Sequence, residues 1–276
     1  MTTETVNNQA TGILPENLVI RLGADGLCFA RYSGRQAGDF SFGSRRFEAQ
    51  LPMPINLSEA FRSEPLLRTP AKNTTVIVCS GAVTVPLSVF QEEDCEDYYN
   101  CCCPPEKGKR RRVFYDTVSP TSTAQLFSVD EEIWRKLKQT VPEARYFASV
   151  TPMLRHFATK SVIPASAKRI FTYVHEGMTD IMAFEGQRLL IANTFETPET
   201  ADSLYFTLSI ATQLEMPLET SPIYVCGPTE TRGHIAAQLR DYAKNVMEVN
   251  PSAEYNRHPV AATPGVPYDM VTFLLG

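Results

Sequence analysis

The chain has no apolar run approaching the roughly 18 residues that a membrane-spanning helix requires, so no transmembrane segment is expected. It also lacks an excess of positive charge. Lysine and arginine total 26 against 31 acidic residues, and the formal net charge of −5 gives no footing for a nucleic-acid partner. The N-terminus, MTTETVNNQATG, has no charged-then-apolar signal pattern. Histidine is scarce: His156, His175, His234 and His258 show no catalytic spacing, and no Gly-x-Ser-x-Gly nucleophile elbow occurs. The single tryptophan, Trp134, reads as a helix packing residue. Together these absences suggest a cytoplasmic protein with a disordered lead-in over residues 1–14.

Seven cysteines are present, an odd number, which with a cytoplasmic setting argues against a disulfide framework. Cys28, Cys79 and Cys226 sit in apolar strand contexts, where a free thiol behaves as a small hydrophobe. Cys95, Cys101, Cys102 and Cys103 crowd between an acidic stretch (92–97) and a basic one (106–112). Four thiolates suggest a zinc module as one reading. Zinc sites, however, use Cys-x₂₋₄-Cys pairs from separate turns, and three consecutive cysteines cannot easily converge on one ion. The preferred reading is an exposed, Cys-rich loop over 92–112.

What the chain does have is a long internal repeat. LVIRLGAD, GLCFARYS and DFSFGSRRFEA read as three short strands, and RIFTYVHEG, MTDIMAFEG and QRLLIANTFET repeat them. The first hairpins turn on Asp25-Gly26 and Glu176-Gly177, 151 residues apart. Each trio leads to a helix and then to a strand ending in a small motif, Cys79-Ser80-Gly81 or Cys226-Gly227-Pro228. A period of this length implies a duplicated domain rather than a solenoid. A helix is expected from Asn56 or Ser58 until Pro65 interrupts it, and 74–79 reads as a central parallel strand. A turn and a short helical piece are expected over 86–91, and strands over 112–115, 124–129 and 144–150. Asp130 is an N-cap candidate, and Thr151 reads as the cap of the next helix. Helices are expected over 198–216 and from Thr229 or Thr231 to Met247, and an apolar strand over 270–275.

Strand, strand, strand, helix, strand, helix, used twice, resembles the actin-like ATPase fold of sugar kinases, Hsp70 and actin. The local likeness is to bacterial cell-division and pilus-assembly members, whose second phosphate loop has the form Asp-Ile-Gly-x-x-Thr-Thr-Asp-Ile. Here the matching stretch is VHEGMTDI, Val174 to Ile181. The chain as a whole also resembles an uncharacterised bacterial family of unknown function. The features that carry this likeness are the segment from Val85-Pro86 to Phe90 and the Pro267-Tyr268-Asp269 lead into an apolar end. The resemblance implies an α/β fold of duplicated actin-like (ribonuclease H-like) subdomains. Each would be a mixed sheet with three antiparallel strands plus parallel strands and flanking helices, over residues 15–160 and 161–276. It further implies a nucleotide cleft between them, with Gly23, Asp25, Gly26, Gly177, Thr179, Asp180 and Gly227 as its candidate residues.

Active members cradle phosphates on backbone N–H groups and hold Mg²⁺ with an aspartate beside each hairpin. This sequence departs from that pattern at all three loops. Arg21 stands near the first aspartate position, His175 occupies the second, and Cys226-Gly227-Pro228-Thr229 replaces the glycine-rich adenosine loop. Asp25-Gly26 and Glu176-Gly177 accordingly read more simply as structural turns than as phosphate loops. Asp180 is left as either a metal ligand or a solvent-facing strand residue. No catalytic or metal-binding residue and no cofactor is expected. The leading expectation is a degenerate, non-catalytic scaffold or protein-interaction module with an unidentified protein partner. The alternative is an ATP-binding protein or small-molecule kinase using ATP and Mg²⁺ in a rearranged site. A hollow lined by backbone amides would favour the alternative, and a cleft filled by Arg21, His175 or Pro228 would favour the first.

Overall fold

The structure, a computed structural model, describes residues 4–7, 16–34, 39–160 and 167–276. The first half runs β1 (Glu4–Asn7), β2 (Asn17–Leu22), β3 (Gly26–Tyr32), β4 (Phe40–Arg46), α1 (Met53–Ser63), α2 (Pro65–Arg68) and β5 (Asn73–Val78). It continues with β6 (Val83–Pro86), α3 (Cys95–Cys102), β7 (Arg111–Val118), β8 (Thr123–Asp130), α4 (Glu131–Thr140), β9 (Arg145–Ala148) and α5 (Val150–Thr159). The second half contains β10 (Lys168–His175), β11 (Met178–Glu185), β12 (Arg188–Glu196), α6 (Thr200–Gln213), β13 (Ile223–Cys226), α7 (Thr229–Leu239) and β14 (Val246–Glu248). Three short helices follow: α8 (Pro251–Glu254), α9 (Pro259–Ala262) and α10 (Tyr268–Leu275).

The repeat expected from sequence is present as two sheets of matching order. β4-β3-β2-β5-β9 in the first half corresponds to β12-β11-β10-β13-β14 in the second, with β1 added outside β4. In each, three antiparallel strands continue into parallel ones. β10 shows why such a strand forms. Every residue after Lys168 is buried, with Phe171 and Tyr173 entering one core and Ile170 and Val174 another. A strand covered on both faces reads as an unbroken run rather than an alternation. The β10–β11 turn places Glu176 and Gly177 at φ +46° and +72°, the left-handed pair of a type I′ hairpin. In both halves the third strand closes back on this turn: Phe47 N–H donates to the Asp25 carbonyl at 2.8 Å, and Thr197 N–H to the Gly177 carbonyl at 2.7 Å.

Several local expectations are corrected. The short helical piece expected over 86–91 does not form: Pro86 ends a strand, β6, because Val85 alternates into a small core with Ala124 and Leu126, and residues 87–89 make only the turn; β6, β8 and β7 make a separate three-stranded sheet. The expected Cys-rich loop contains helix α3, which buries Cys95 and Tyr99, four residues apart, against that sheet and carries Glu96 and Asp97 in its first turn. Thr151 does not cap α5; it lies inside the helix and donates its hydroxyl to buried Asp116 at 2.8 Å. Helix α7 stops at Leu239, and β14 follows. Residues 270–275 are helical rather than extended. Met270, Val271 and Leu274, at helical spacing, pack on Val19, Phe42 and Ile77, so the last helix lies on the first sheet. Asp130 caps α4 as expected, accepting from Glu132 N at 2.8 Å. Of the N-terminal stretch 1–14, residues 4–7 form β1 and the others lie outside the described residues.

The largest core is shared by the two halves. Phe157 of α5 stacks on Phe171 of β10 with ring centroids 3.7 Å apart, and Phe171 stacks in turn on Tyr224 of β13. Phe157→Ala is therefore expected to cost about 3–5 kcal/mol in urea unfolding. Amide exchange should accelerate in β5 and β10 alike; acceleration confined to one half would contradict a shared core.

Candidate functional site

β2 ends where β10 ends, and the two C-terminal strand ends bring Arg21 and His175 together. Arg21 is 2 % exposed. Its Nε donates to both carboxylate oxygens of Asp269, at 2.9 and 2.6 Å, and its Nη1 donates to Glu176. Nη2 lies 3.5 Å from His175 Nδ1. Burial works against this charge, but the Asp269 carboxylate, with further help from Glu176, outweighs it and raises the guanidinium well above its ordinary pKa. Asp269 sits in the first turn of α10, where the helix favours an anion.

A guanidinium can only donate, so the His175 nitrogen facing it accepts. That assigns the proton to Nε2, which donates to Asp180 Oδ2 at 3.0 Å. Asp180 Oδ1 accepts from the Thr194 hydroxyl at 2.6 Å, and Thr194 Oγ1 accepts from the Ala82 N–H at 3.3 Å. The chain of bonds begins on β2 and ends just before β6, crossing three strands of the second sheet between. It joins the two halves twice.

The structure separates the sequence-derived candidates. Gly23 and Gly26 close the first hairpin loop with a 2.9 Å bond from Gly23 N–H to the Gly26 carbonyl. A Cβ at Gly23 would overlap the Glu176 carboxylate, and one at Gly26 would lie 2.6 Å from the Arg45 carbonyl. Asp25 stays exposed at the loop tip. Gly177 belongs to the type I′ turn. Thr179 points away from Asp180's face and bonds Thr197 and Ser203 at 2.8 and 2.7 Å. Asp180 is 1 % exposed, so it does not face solvent at a strand edge. Gly227, at φ +135°, packs so closely on β10 that a Cβ there would lie 2.5 Å from the Val174 carbonyl oxygen. Asp269 and Thr194 were not legible as site residues. The one available signal for Asp269 was a lone carboxylate opening an apolar run.

Beside this network lies a cavity of about 500 Å³, walled by Arg21, Tyr173, Glu176, Gly227, Arg232 and Tyr268 among others. The segment 250–268 forms much of its rim and is clamped to α5 through Glu254. Glu254 accepts from His156 Nε2 and the Tyr268 hydroxyl, each at 2.8 Å, and from Lys160. Burial alone would raise the Glu254 pKa, but these three hydrogen bonds prevail and bring it down to about 2.

These residues do not fit a metal-bound polyphosphate. The two positions beside the hairpins carry a guanidinium and an imidazole in contact with each other, whereas Mg²⁺ takes oxygen ligands. The space against Gly23 is filled by the chain's own Glu176 carboxylate. In the thiol-rich region Cys95 is buried while Cys101 and Cys102 are exposed, and no group of three or more metal-ligating residues exists among the described residues.

The family model for "Protein of unknown function (DUF3822)" matches residues 6–246, and the chain belongs to that family. A solved protein of Bacteroides thetaiotaomicron VPI-5482, described as having an actin-like ATPase fold and unknown function, is 25% identical with a TM-score of 0.80. The match covers 94% of this chain and 95% of that one. The PilM–PilN type IV pilus biogenesis complex matches at 13% identity and a TM-score of 0.56, covering 96% of this chain and 100% of that one. No curated protein matches. The fold is thus the actin-like ATPase fold.

The Glu254 clamp has a pH signature. Its folded-state pKa is depressed, so its contribution is complete above the ordinary value of 4.5 and fades as pH falls towards 2. Glu254→Gln is expected to lose about 1.5–3 kcal/mol at pH 7, the scale of hydrogen bonds to a charged group. In urea unfolding across this range the gap to wild type should close as pH falls from 4.5 to 2; a constant gap would contradict the assignment.

Proposed function

We propose that this DUF3822 member is a non-catalytic actin-like protein whose cleft is closed by its own side chains and which acts by binding another protein. Residues 15–160 and 161–276 serve in this reading as the two actin-like subdomains, with the last helix returned to the first. The observation that carries the proposal is the Arg21 guanidinium, bound to Asp269 and Glu176 and in contact with His175, at the place where the fold's active members handle phosphate and metal. Two basic side chains stand where the fold's active members carry metal-binding acids.

A protein partner is supported by the second half's outer surface. Tyr205 is 64% exposed beside Phe206, which stacks on Phe195 with centroids 4.2 Å apart, so aromatic area lies open next to the β12 edge. The PilM–PilN structure is a protein complex, but at its identity the likeness carries the fold alone, so no partner is taken from it. No described helix is long and apolar enough to cross a membrane. The described cysteines are free and two are exposed, which suits a reducing compartment, and we assign the protein to the cytoplasm.

The second reading, an ATP-binding protein or small-molecule kinase, is favoured by one feature: the cavity of about 500 Å³ with Arg232 in its wall. A ligand that binds only the native state must raise the melting temperature. With 5 mM-scale ATP and Mg²⁺ (on the order of physiological levels), the self-closed reading expects no shift and no phosphate release. A concentration-dependent rise, or hydrolysis abolished by Asp180→Ala, would replace it with the second reading.

A further inference from the structure

Glu176 is an unusual residue for the turn it occupies. The first position of a type I′ turn requires a positive φ, which Asn, Asp and Gly adopt most readily, yet a glutamate stands there at φ +46°. Backbone strain of this kind persists only where surrounding contacts over-determine it. The contacts are those of the carboxylate: it pairs with Arg21 and rests against Gly23, in a space a methyl group there would fill. Of the two anions on Arg21, Asp269 is fully buried, whereas the Glu176 side chain is 23% exposed. Glu176 also forms part of the wall of two hollows of about 500 Å³ each, one reaching Arg21 and the other the first hairpin tip. It is therefore the member of the cluster that can withdraw to solvent without unpacking the core.

We propose that Glu176 is a built-in, displaceable ligand of an oxyanion site formed by Arg21 and the Gly23 loop, and that this site takes a small carboxylate or phosphate group when Glu176 withdraws. A guanidinium recognises both groups by the same paired N–H geometry. No metal takes part: Asp269 remains on Nε, and the incoming oxyanion takes the Nη1 donor that Glu176 vacates. The proposal rests on the self-closed reading of the cleft. Nevertheless the two fail separately, since a response of the wild-type protein to ATP overturns that reading, whereas the measurements below concern Arg21 and simple anions.

Glu176→Gly tests the site because glycine relieves the turn while removing the carboxylate. In sodium chloride this variant is expected to melt about 2–5 °C below wild type, the shift expected for loss of one charged contact in a chain of this size. Sodium acetate or inorganic phosphate at matched ionic strength is expected to recover at least half of that shift in Glu176→Gly. Wild type, in which the anion must first displace Glu176, should shift by a small fraction of that amount, and Glu176→Gln, whose amide still fills the space, should not shift. Recovery by acetate and not by phosphate, or the reverse, distinguishes the two sources of the oxyanion. No recovery by either, equal shifts in wild type, or recovery in Glu176→Gln would overturn the proposal. If Glu176→Gly fails to fold in chloride, the same anions are expected to restore folded protein on refolding, and no restoration would overturn it.

Discussion

A buried guanidinium must find hydrogen-bond acceptors, of which anions are the strongest, or it destabilises the fold around it. Arg21, 2 % exposed at the end of β2, imposes that requirement on the whole molecule. Removing one partner from a fully buried pair, as Arg21–Asp269 is, typically costs about 3–5 kcal/mol, because the other charge is then stranded. The anions come from distant parts of the chain: Asp269 from the last helix, 248 residues away, and Glu176 from the second hairpin, 155 residues away. Satisfying Arg21 thereby fixes three things at once. Helix α10 is held on the first sheet, the two hairpins are held against each other, and His175 is given a single tautomer that extends the network to Asp180.

The duplicated framework and the residues at the strand ends rest on different physical requirements. The two sheets retain the same strand order, and both third strands close on their hairpin turns with bonds of 2.8 and 2.7 Å. Their cores depend on apolar strands and tight turns, neither of which requires phosphate chemistry. At the strand ends Arg21 and His175 stand in contact, and the halves meet through their ion cluster and a shared aromatic core.

How much of this the sequence disclosed follows from the range of each interaction. The trios, the acidic-Gly turns and the Asp130 cap are local, and each was readable from a few neighbouring residues. Arg21 and His175 were visible as departures from a family pattern, but their mutual contact depends on how two subdomains pack. The short apolar run 270–275 satisfies strand and helix patterns alike, and its helical form is decided by Met270, Val271 and Leu274 meeting the first sheet. The cysteine-rich segment misled for a related reason: its composition suggests a loop, while only the spacing of Cys95 and Tyr99 hints at a buried helical face. Glu176 read as turn chemistry because a turn residue's side-chain partner in another subdomain leaves no trace in local pattern.

The central claim is that Arg21 and its partners, rather than a nucleotide, hold the two halves closed. Small-angle X-ray scattering of the full chain with and without ATP and Mg²⁺, alongside Arg21→Ala, tests it most directly. The account predicts that the radius of gyration of wild type is the same in both conditions and that Arg21→Ala is larger. A wild-type protein that contracts when ATP is added, or an Arg21→Ala protein as compact as wild type, would contradict it.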